Sequence, residues 1–352
     1  MSELPEVRDA VPGEIPDMLA VIQAAFPRWP LIEVDASPLE HLRWKMRDGS
    51  VDGPKHTVAL IDGQIVATRL RWENRIDLDG REHRLETGAD FAVHPDYQGR
   101  GLSRLVREHF HQRLIEHPRP GISMPSRSPQ VRYMTSDSLI GRPLTVWFRP
   151  FGARAFAAAV RTASPSNLWK SARSTVGHRR AVTDVERTEV LVEFDGRVDD
   201  LWNRARGAFD IIASRRSAYL NWRFARPESG NPEILALIGD GRLSAYGVLK
   251  RSGREANLVD LLWDPAVPDA LPAIVAASVE RCRGEGIRGV TCWLPSGHLA
   301  EPALRRNGFI AVGHDEVLLG NGDAGETSAE VLAIFEDPGR TMHITMSDFD
   351  YF

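Results

Sequence analysis

Residues 98 to 104 read QGRGLSR. Two glycines flank an arginine, and apolar residues at helical spacing follow at once: Leu102, Leu105, Val106, Phe110 and Leu114. The first N–H groups of a helix have no partner inside it, and the helix dipole places partial positive charge there. Phosphate suits such an end. Without a β-carbon, Gly99 and Gly101 let the backbone come close to an anion, and Arg100 and Arg104 add charge-assisted bonds to phosphate oxygens. The stretch therefore predicts a pyrophosphate cradle where a strand hands over to a helix. No Gly-Lys-Ser/Thr triplet follows, and the third glycine of a dinucleotide fingerprint is missing. Taken alone, the pair is also what a glycine turn capping a helix looks like.

The elements that must hold this junction are legible. Asp62-Gly63 and Asp79-Gly80 are hairpin signals between alternating runs. They predict antiparallel strands over about 56–62, 65–77 and 82–94, then a helix over 99–117. A strand near 121–125, a helix over 130–139 and a strand over 144–148 follow. A last strand of this unit borrowed from 189–194 is a further expectation.

The layout recurs. Residues 40–63, EHLRWKMRDGSVDGPKHTVALIDG, match residues 218–241, AYLNWRFARPESGNPEILALIGDG, with Trp44 and Trp222 178 positions apart. Downstream, Asp90 pairs with Asp260 and Pro95 with Pro265. Repetition at this period means one domain copied, not a solenoid. The second copy lacks the cradle. Pro268-Asp269-Ala270-Leu271-Pro272-Ala273 stands in its place, with a carboxylate that repels phosphate and prolines that delete donors.

Val93-His94-Pro95-x-x-Gln98-x-x-Gly101-x-Ser103 resembles the signature of the GNAT superfamily of acyl-CoA N-acyltransferases, with Ser103 where Gly or Ala is usual. Counting both copies, the resemblance covers most of the chain. It implies an α/β (α+β) fold of two tandem GNAT-like domains, each a mixed, mostly antiparallel twisted sheet flanked by helices. It also implies acetyl-CoA as co-substrate. Backbone N–H groups of Gln98, Gly99, Arg100, Gly101, Leu102 and Ser103 would bind the pyrophosphate, with Arg104 nearby. Phe91, Ala92 and Val93 would hydrogen-bond the pantetheine arm as an added strand.

Acyl transfer from a thioester to an amine needs a base, a stabilised oxyanion and an acid for the leaving thiolate. Glu86 and Asp90 share one face of the strand before the cradle and are the candidate bases; both also read as ordinary strand residues. His94 reads as a surface histidine. The family's usual acidic tyrosine would fall on Asp137, so Tyr133, one turn earlier, takes its place as candidate. The chain ends SDFDYF. Some relatives that acetylate aminoglycosides bring a C-terminal carboxylate into the site, which makes Phe352, with Asp348 and Asp350, a candidate anionic acceptor pocket. The bland alternative is a solvated tail or an edge strand over 342–346 closing the second sheet.

Bulk properties set outer bounds. The chain has 352 residues, is 42% hydrophobic and 26% charged, and carries a net charge of −4, so no nucleic-acid footprint is expected. Only four of its 44 basic residues are lysine. Cys282 and Cys292 read as buried thiols, too few for a metal site or disulfide framework. No signal pattern and no long apolar run are present, so no metal and no membrane partner are expected and a cytoplasmic protein fits. The expected division is 1–155 as the acyl-CoA-binding domain, 156–186 as connector and 187–352 as a degenerate copy. The leading function is acetylation of a small-molecule primary amine such as an amino sugar, an aminoglycoside-like amine or a polyamine. The alternatives are acetylation of a protein or peptide amine, and a non-catalytic acyl-CoA-binding or partner-binding protein. If the chain oligomerises, an isologous homodimer is the commonest form.

Overall fold

The computed structural model describes residues 4–30, 32–47, 56–116, 120–123, 139–175, 188–284, 286–321, 333–335 and 337–349. The first copy runs β1 (Glu6–Asp9), α1 (Ile15–Ala25), α2 (Pro38–Met46), β2 (Thr57–Ile61), β3 (Gln64–Leu78), β4 (Arg81–Val93), α3 (Leu102–Glu116), β5 (Pro120–Ser123) and β6 (Leu139–Pro150). Helices α4 (Gly152–Thr162) and α5 (Pro165–Thr175) lead to the second copy. That copy runs β7 (Thr188–Leu191), α6 (Gly196–Ala205), β8 (Ile211–Ala213), α7 (Ser217–Phe224), β9 (Glu233–Gly239), β10 (Arg242–Ser252) and β11 (Glu255–Trp263). It ends with α8 (Ala270–Arg281), β12 (Gly289–Pro295), α9 (Glu301–Arg306), β13 (Ile310–Asn321) and β14 (Met342–His343). The helix expected over 130–139 lies outside the described residues, apart from Leu139, which opens β6.

The turns form as their sequences require. Asp62 and Gly63 take φ of 51° and 75°, and Asp240 and Gly241 take 51° and 73°. Two positive φ values make the hairpin turn whose twist matches that of its strands. The copies therefore share a β2–β3 and β9–β10 hairpin of one geometry. Helices α1 and α2 cover one face of β3 and β4, with Met18, Ile22, Leu42, Val58 and Leu70 buried between them. Each such side chain contributes about 1.5–3 kcal/mol by leaving water. Val66, Ala67, Leu102 and Val106 bury α3 against another part of the sheet. Cys282 and Cys292 are buried free thiols.

All described strands belong to one sheet, in the order β1-β2-β3-β4-β5-β13-β6-β12-β11-β10-β9-β7, with β8 bridging β3 and β14 at the side. The centre departs from a simple tandem. Strand β13 of the second copy pairs with β5 of the first, Leu318 opposite Ser123. Strand β6 of the first copy pairs with β12 of the second, Cys292 opposite Trp147. The two exchanged strands pair with each other over ten residue pairs. The borrowed strand is therefore 310–321. Residues 188–191 pair instead with β9 at the far edge, which corrects the expectation for 189–194. Strand β14 also differs from expectation. It pairs with β8, which pairs with β3 of the first copy, so the tail crosses between the copies and does not close the second sheet. Ile76, Leu85, Ile211, Met342 and Phe349 form a buried cluster drawn from both copies at that crossing.

The repeat's two tryptophans meet. Trp44 Nε1–H donates to the Trp222 carbonyl at 2.7 Å, and Trp222 Nε1–H donates to the Trp44 carbonyl at 3.1 Å. Their rings stack with centres 5.5 Å apart. A reciprocal contact of this kind marks an approximate twofold relation between the copies.

Candidate active site

Strand β4 is bent at one point. Thr68 faces Ala92 and Leu70 faces Ala89, so Asp90 and Phe91 together oppose the single residue Arg69. This is a β-bulge. Asp90 takes a φ of 37° there, a region that disfavours a side chain by about 1–2 kcal/mol. Its carboxylate offsets this by accepting from Trp29 Nε1–H at 3.0 Å and from the Lys45 ammonium. Lys45 is buried and sits 5.9 and 6.0 Å from the ring centres of Trp29 and Trp72. Both oxygens of Asp90 are thus engaged, and the residue fixes the bulge.

Beside the bulge the sheet opens. Strand β4 pairs with β5 in parallel at Glu86–Gly121 and Thr87–Ile122. From Gly88 to Val93 it pairs only with β3. Among the described residues the other edge, which includes Phe91, Ala92 and Val93, has no strand partner. Strands β4 and β5 form a fork, and Glu86 stands at its base. The Glu86 side chain lies outside the described residues, as do Tyr133 and Phe352.

The open edge runs into the glycine turn. His94 Nδ1 accepts from the Asp96 N–H at 3.3 Å, Gln98 Nε2 donates to the Val93 carbonyl at 3.3 Å, and Arg100 donates to the Asp96 carbonyl at 3.1 Å. The Arg100 guanidinium also lies over the Tyr97 ring, 4.8 Å from its centre. Gly99 and Gly101 both take φ of 77°, and a β-carbon on either would meet nothing within 4 Å. Conformation therefore requires the glycines, and the space beside them is open. Leu102 is buried and pins the first turn of α3. No backbone hydrogen bond among the described residues engages the N–H groups of Gly99, Arg100, Gly101, Leu102 or Ser103. Arg104 pairs with Glu108 at 3.0 Å on the exposed side, a weak surface contact. The residues from Phe91 to Arg104 thus form one feature, an open strand edge ending in an open run of N–H donors.

No protein-family model matches the sequence, and no curated protein matches it. Solved structures do. A probable N-acyltransferase from Enterococcus faecalis V583 superposes with a TM-score of 0.63 at 12% identity, over 90% of this chain and 72% of that one. A GCN5-related N-acetyltransferase from Anabaena variabilis gives 0.62 at 11% identity, over 90% and 72%. N-myristoyltransferase of Saccharomyces cerevisiae, solved with bound myristoyl-CoA and inhibitors, gives 0.55 at 11% identity, over 90% and 79%. The chain has the GNAT fold, built twice in tandem.

The second GNAT-like copy shows the same fork in closed form. Strands β11 and β12 pair in parallel at Ala256–Val290 and Asn257–Thr291 and then part. Past that point the C-terminal segment 342–349 lies against both strands. Thr345 donates to Asp260 at 2.8 Å, Tyr246 donates to Asp260 at 2.8 Å, and Arg215 donates to Asp260 at 3.0 Å. Arg215 also grips Asp348 with two bonds of 2.9 and 2.5 Å. Both charges of that pair are fully buried. Burial works against the Arg215 cation, but Asp260 and Asp348 outweigh it and hold its pKa well above the usual value. Burial raises Asp260 despite the arginine. Next to this network His298 Nε2 meets His343 Nδ1 at 2.9 Å. Burial lowers His298 to about 3. Burial, then His298 and Arg215, hold His343 well below its usual range. Both imidazoles are therefore neutral. Where the first copy has its glycine turn, the second begins α8 at Ala270, which is fully buried, with no residue of positive φ.

Asp348 was expected to help line an anionic pocket with Phe352. Arg215 takes its carboxylate, and burial removes it from any solvent-facing pocket. The segment nevertheless reaches the first copy. Thr87 Oγ1 on β4 donates to the Asp348 carbonyl at 3.5 Å, and Arg223 donates to the carbonyls of Ser347 and Phe349 at 3.2 and 3.1 Å.

Sequence reasoning missed Lys45, Arg215, Arg223 and Thr345. The repeat held one signal: a cation follows each paired tryptophan, Lys45 after Trp44 and Arg223 after Trp222. Nothing local marked Arg215 or Thr345, whose partners lie 45 and 85 positions away. Between the copies, burial foremost, then Arg223 and Lys45, lower Lys250 to about 7. Burial, then Lys45, lower His41 to about 4.

Proposed function

We propose that this chain is an acyl-CoA-dependent N-acyltransferase that moves an acetyl group from acetyl-CoA to the primary amine of a small molecule, using the fork of the first copy alone. One observation carries the reading. An unpaired strand edge runs directly into a turn with two open, positive-φ glycines and a run of unengaged N–H donors. A pyrophosphate and an amide-bearing arm need that combination in that order. The second copy offers neither part.

Bound acetyl-CoA would supply an activated thioester. N–H groups from Gly99 to Ser103, with Arg100, would hold its pyrophosphate. The free edge at Phe91–Val93 would take up the pantetheine amides as a strand. An N–H near the bulge would stabilise the oxyanion that forms as the amine attacks, and the Lys45–Asp90 contact keeps the bulge in shape. Since Asp90 is engaged, Glu86 at the fork is the better base. Tyr133 keeps the role of acid. The hold of Thr87 and Arg223 on residues 347–349 keeps that segment beside the base of the fork.

Titrating acetyl-CoA calorimetrically into the protein and into Gly101→Glu tests the reading. One site per chain is expected, weakened at least about a hundredfold in the variant, which adds both a strained φ and a carboxylate beside phosphate. Absence of binding by the unmodified protein would remove the proposal.

A further inference from the structure

Helices α4 and α5 face outward with a composition unlike the rest of the chain. From Phe151 to Thr183 the sequence has no Asp or Glu, in a protein whose net charge is −4. The two helices carry Arg154, Arg161, Lys170 and Arg173, all exposed. Both helices pack on β13. Helix α5 is fastened by its other side. Ser171 donates to the Phe309 carbonyl at 3.1 Å, and Arg305 donates to Ser171 at 3.1 Å. The opposite face presents Trp169, 70% exposed, with Arg173 one turn further on. Phe156 on α4 is 53% exposed, and Ala153, Ala157 and Ala158 are exposed as well.

We propose that this face binds the surface of an anionic phospholipid bilayer. An outward tryptophan on a helix is disfavoured in water but suited to the headgroup layer, where its ring is half buried and its N–H stays wet. Lys170 and Arg173 beside it, with Arg154 and Arg161 on α4, meet anionic headgroups. Nucleic acid would use the cations without needing the exposed Trp169 and Phe156. No described helix is long and apolar enough to cross a membrane, so the contact is peripheral.

The test is co-sedimentation with vesicles of phosphatidylglycerol and phosphatidylcholine, against phosphatidylcholine alone. Binding is expected only with the anionic lipid and should weaken as salt rises. Lys170→Glu with Arg173→Glu should weaken it by more than about tenfold, given the per-charge contribution at anionic membranes. Trp169→Ser should weaken it several-fold. Arg81→Glu, an exposed charge reversal at the β3–β4 turn, should leave it unchanged. Thermal melts of each variant check that the fold is intact. No binding to the anionic vesicles overturns the proposal, as does binding that is insensitive to both sets of changes at α5. Equal affinity for a single-stranded oligonucleotide, unaffected by Trp169→Ser, would assign the face to polyanions in general. A dimer in sedimentation velocity that Trp169→Ser dissociates would assign it to a second copy of the chain. Neither result depends on acyl-CoA binding.

Discussion

Two forks occupy equivalent places in this molecule, and only one is open. In the first copy, β4 and β5 part above Thr87 and leave an edge that leads to Gly99 and Gly101. In the second, β11 and β12 part above Asn257, and the chain's own segment 342–349 lies in the way. The glycine turn has become a proline-bordered helix start. The closed fork is held by fully buried charges, Asp260–Arg215–Asp348, where the open fork has the Lys45–Asp90 pair, buried at the lysine and slightly exposed at the aspartate. One scaffold thus supports an open fork on one side and a self-filled structural anchor on the other. A closed fork has to be filled, because an unfilled one leaves backbone donors without partners.

The largest test asks whether the halves are separable at all. A fragment ending at residue 155 keeps β5 and β6 but loses β13, which lies between them. It should fail to give a cooperative melt and should bind no acetyl-CoA. A soluble fragment that binds would show the strand exchange to be dispensable. Next comes the anchor. Asp348→Asn leaves Arg215 short of a partner in a dry site and should cost about 3–5 kcal/mol in denaturant unfolding. The equivalent change at the open fork, Asp90→Asn, should cost less, about 1.5–3 kcal/mol. Equal losses would erase the contrast between the two forks.

Acid should sharpen it further. His298 and His343 are held neutral in the fold, so the unfolded chain binds more protons as pH drops below its ordinary histidine pKa. Their contribution to stability is complete above about pH 6.5 and is lost as pH falls toward the folded value, about 3 for His298. Between pH 7 and 5 this amounts to about 2 kcal/mol per histidine. His298→Gln should flatten the pH profile by about that much. His41→Gln in the first copy should do so similarly, since its folded value is about 4. A profile unmoved by His298→Gln would mean the closed fork admits protons. The smallest effect is expected at the twofold contact. Trp44→Phe and Trp222→Phe each remove one hydrogen bond, about 1 kcal/mol, and the reciprocal geometry predicts similar losses. Clearly unequal values would show that the copies do not share that contact evenly.

Much of this was legible in the residues. Asp-Gly pairs specified hairpins because few other pairs accept two positive φ values. Trp44 and Trp222, with matching Leu-Ile and Asp-Gly steps, announced the repeat. Gln98-Gly99-Arg100-Gly101 announced a glycine turn opening a helix, and the missing glycines at 268–273 announced its absence from the second copy. These features are set within a few residues, by steric limits and donor placement, so a chain can show them without folding. The tertiary structure alone decided which strand completes which half. Alternating apolar residues in β6 and β13 say that a strand forms and are silent on its partner. Tertiary contact also decided that Asp90 is engaged by Lys45, that Asp348 is an anchor and not a pocket wall, and that the tail closes the second fork. Each of those depends on groups far apart in sequence being brought together and stripped of water, which only the folded chain can do.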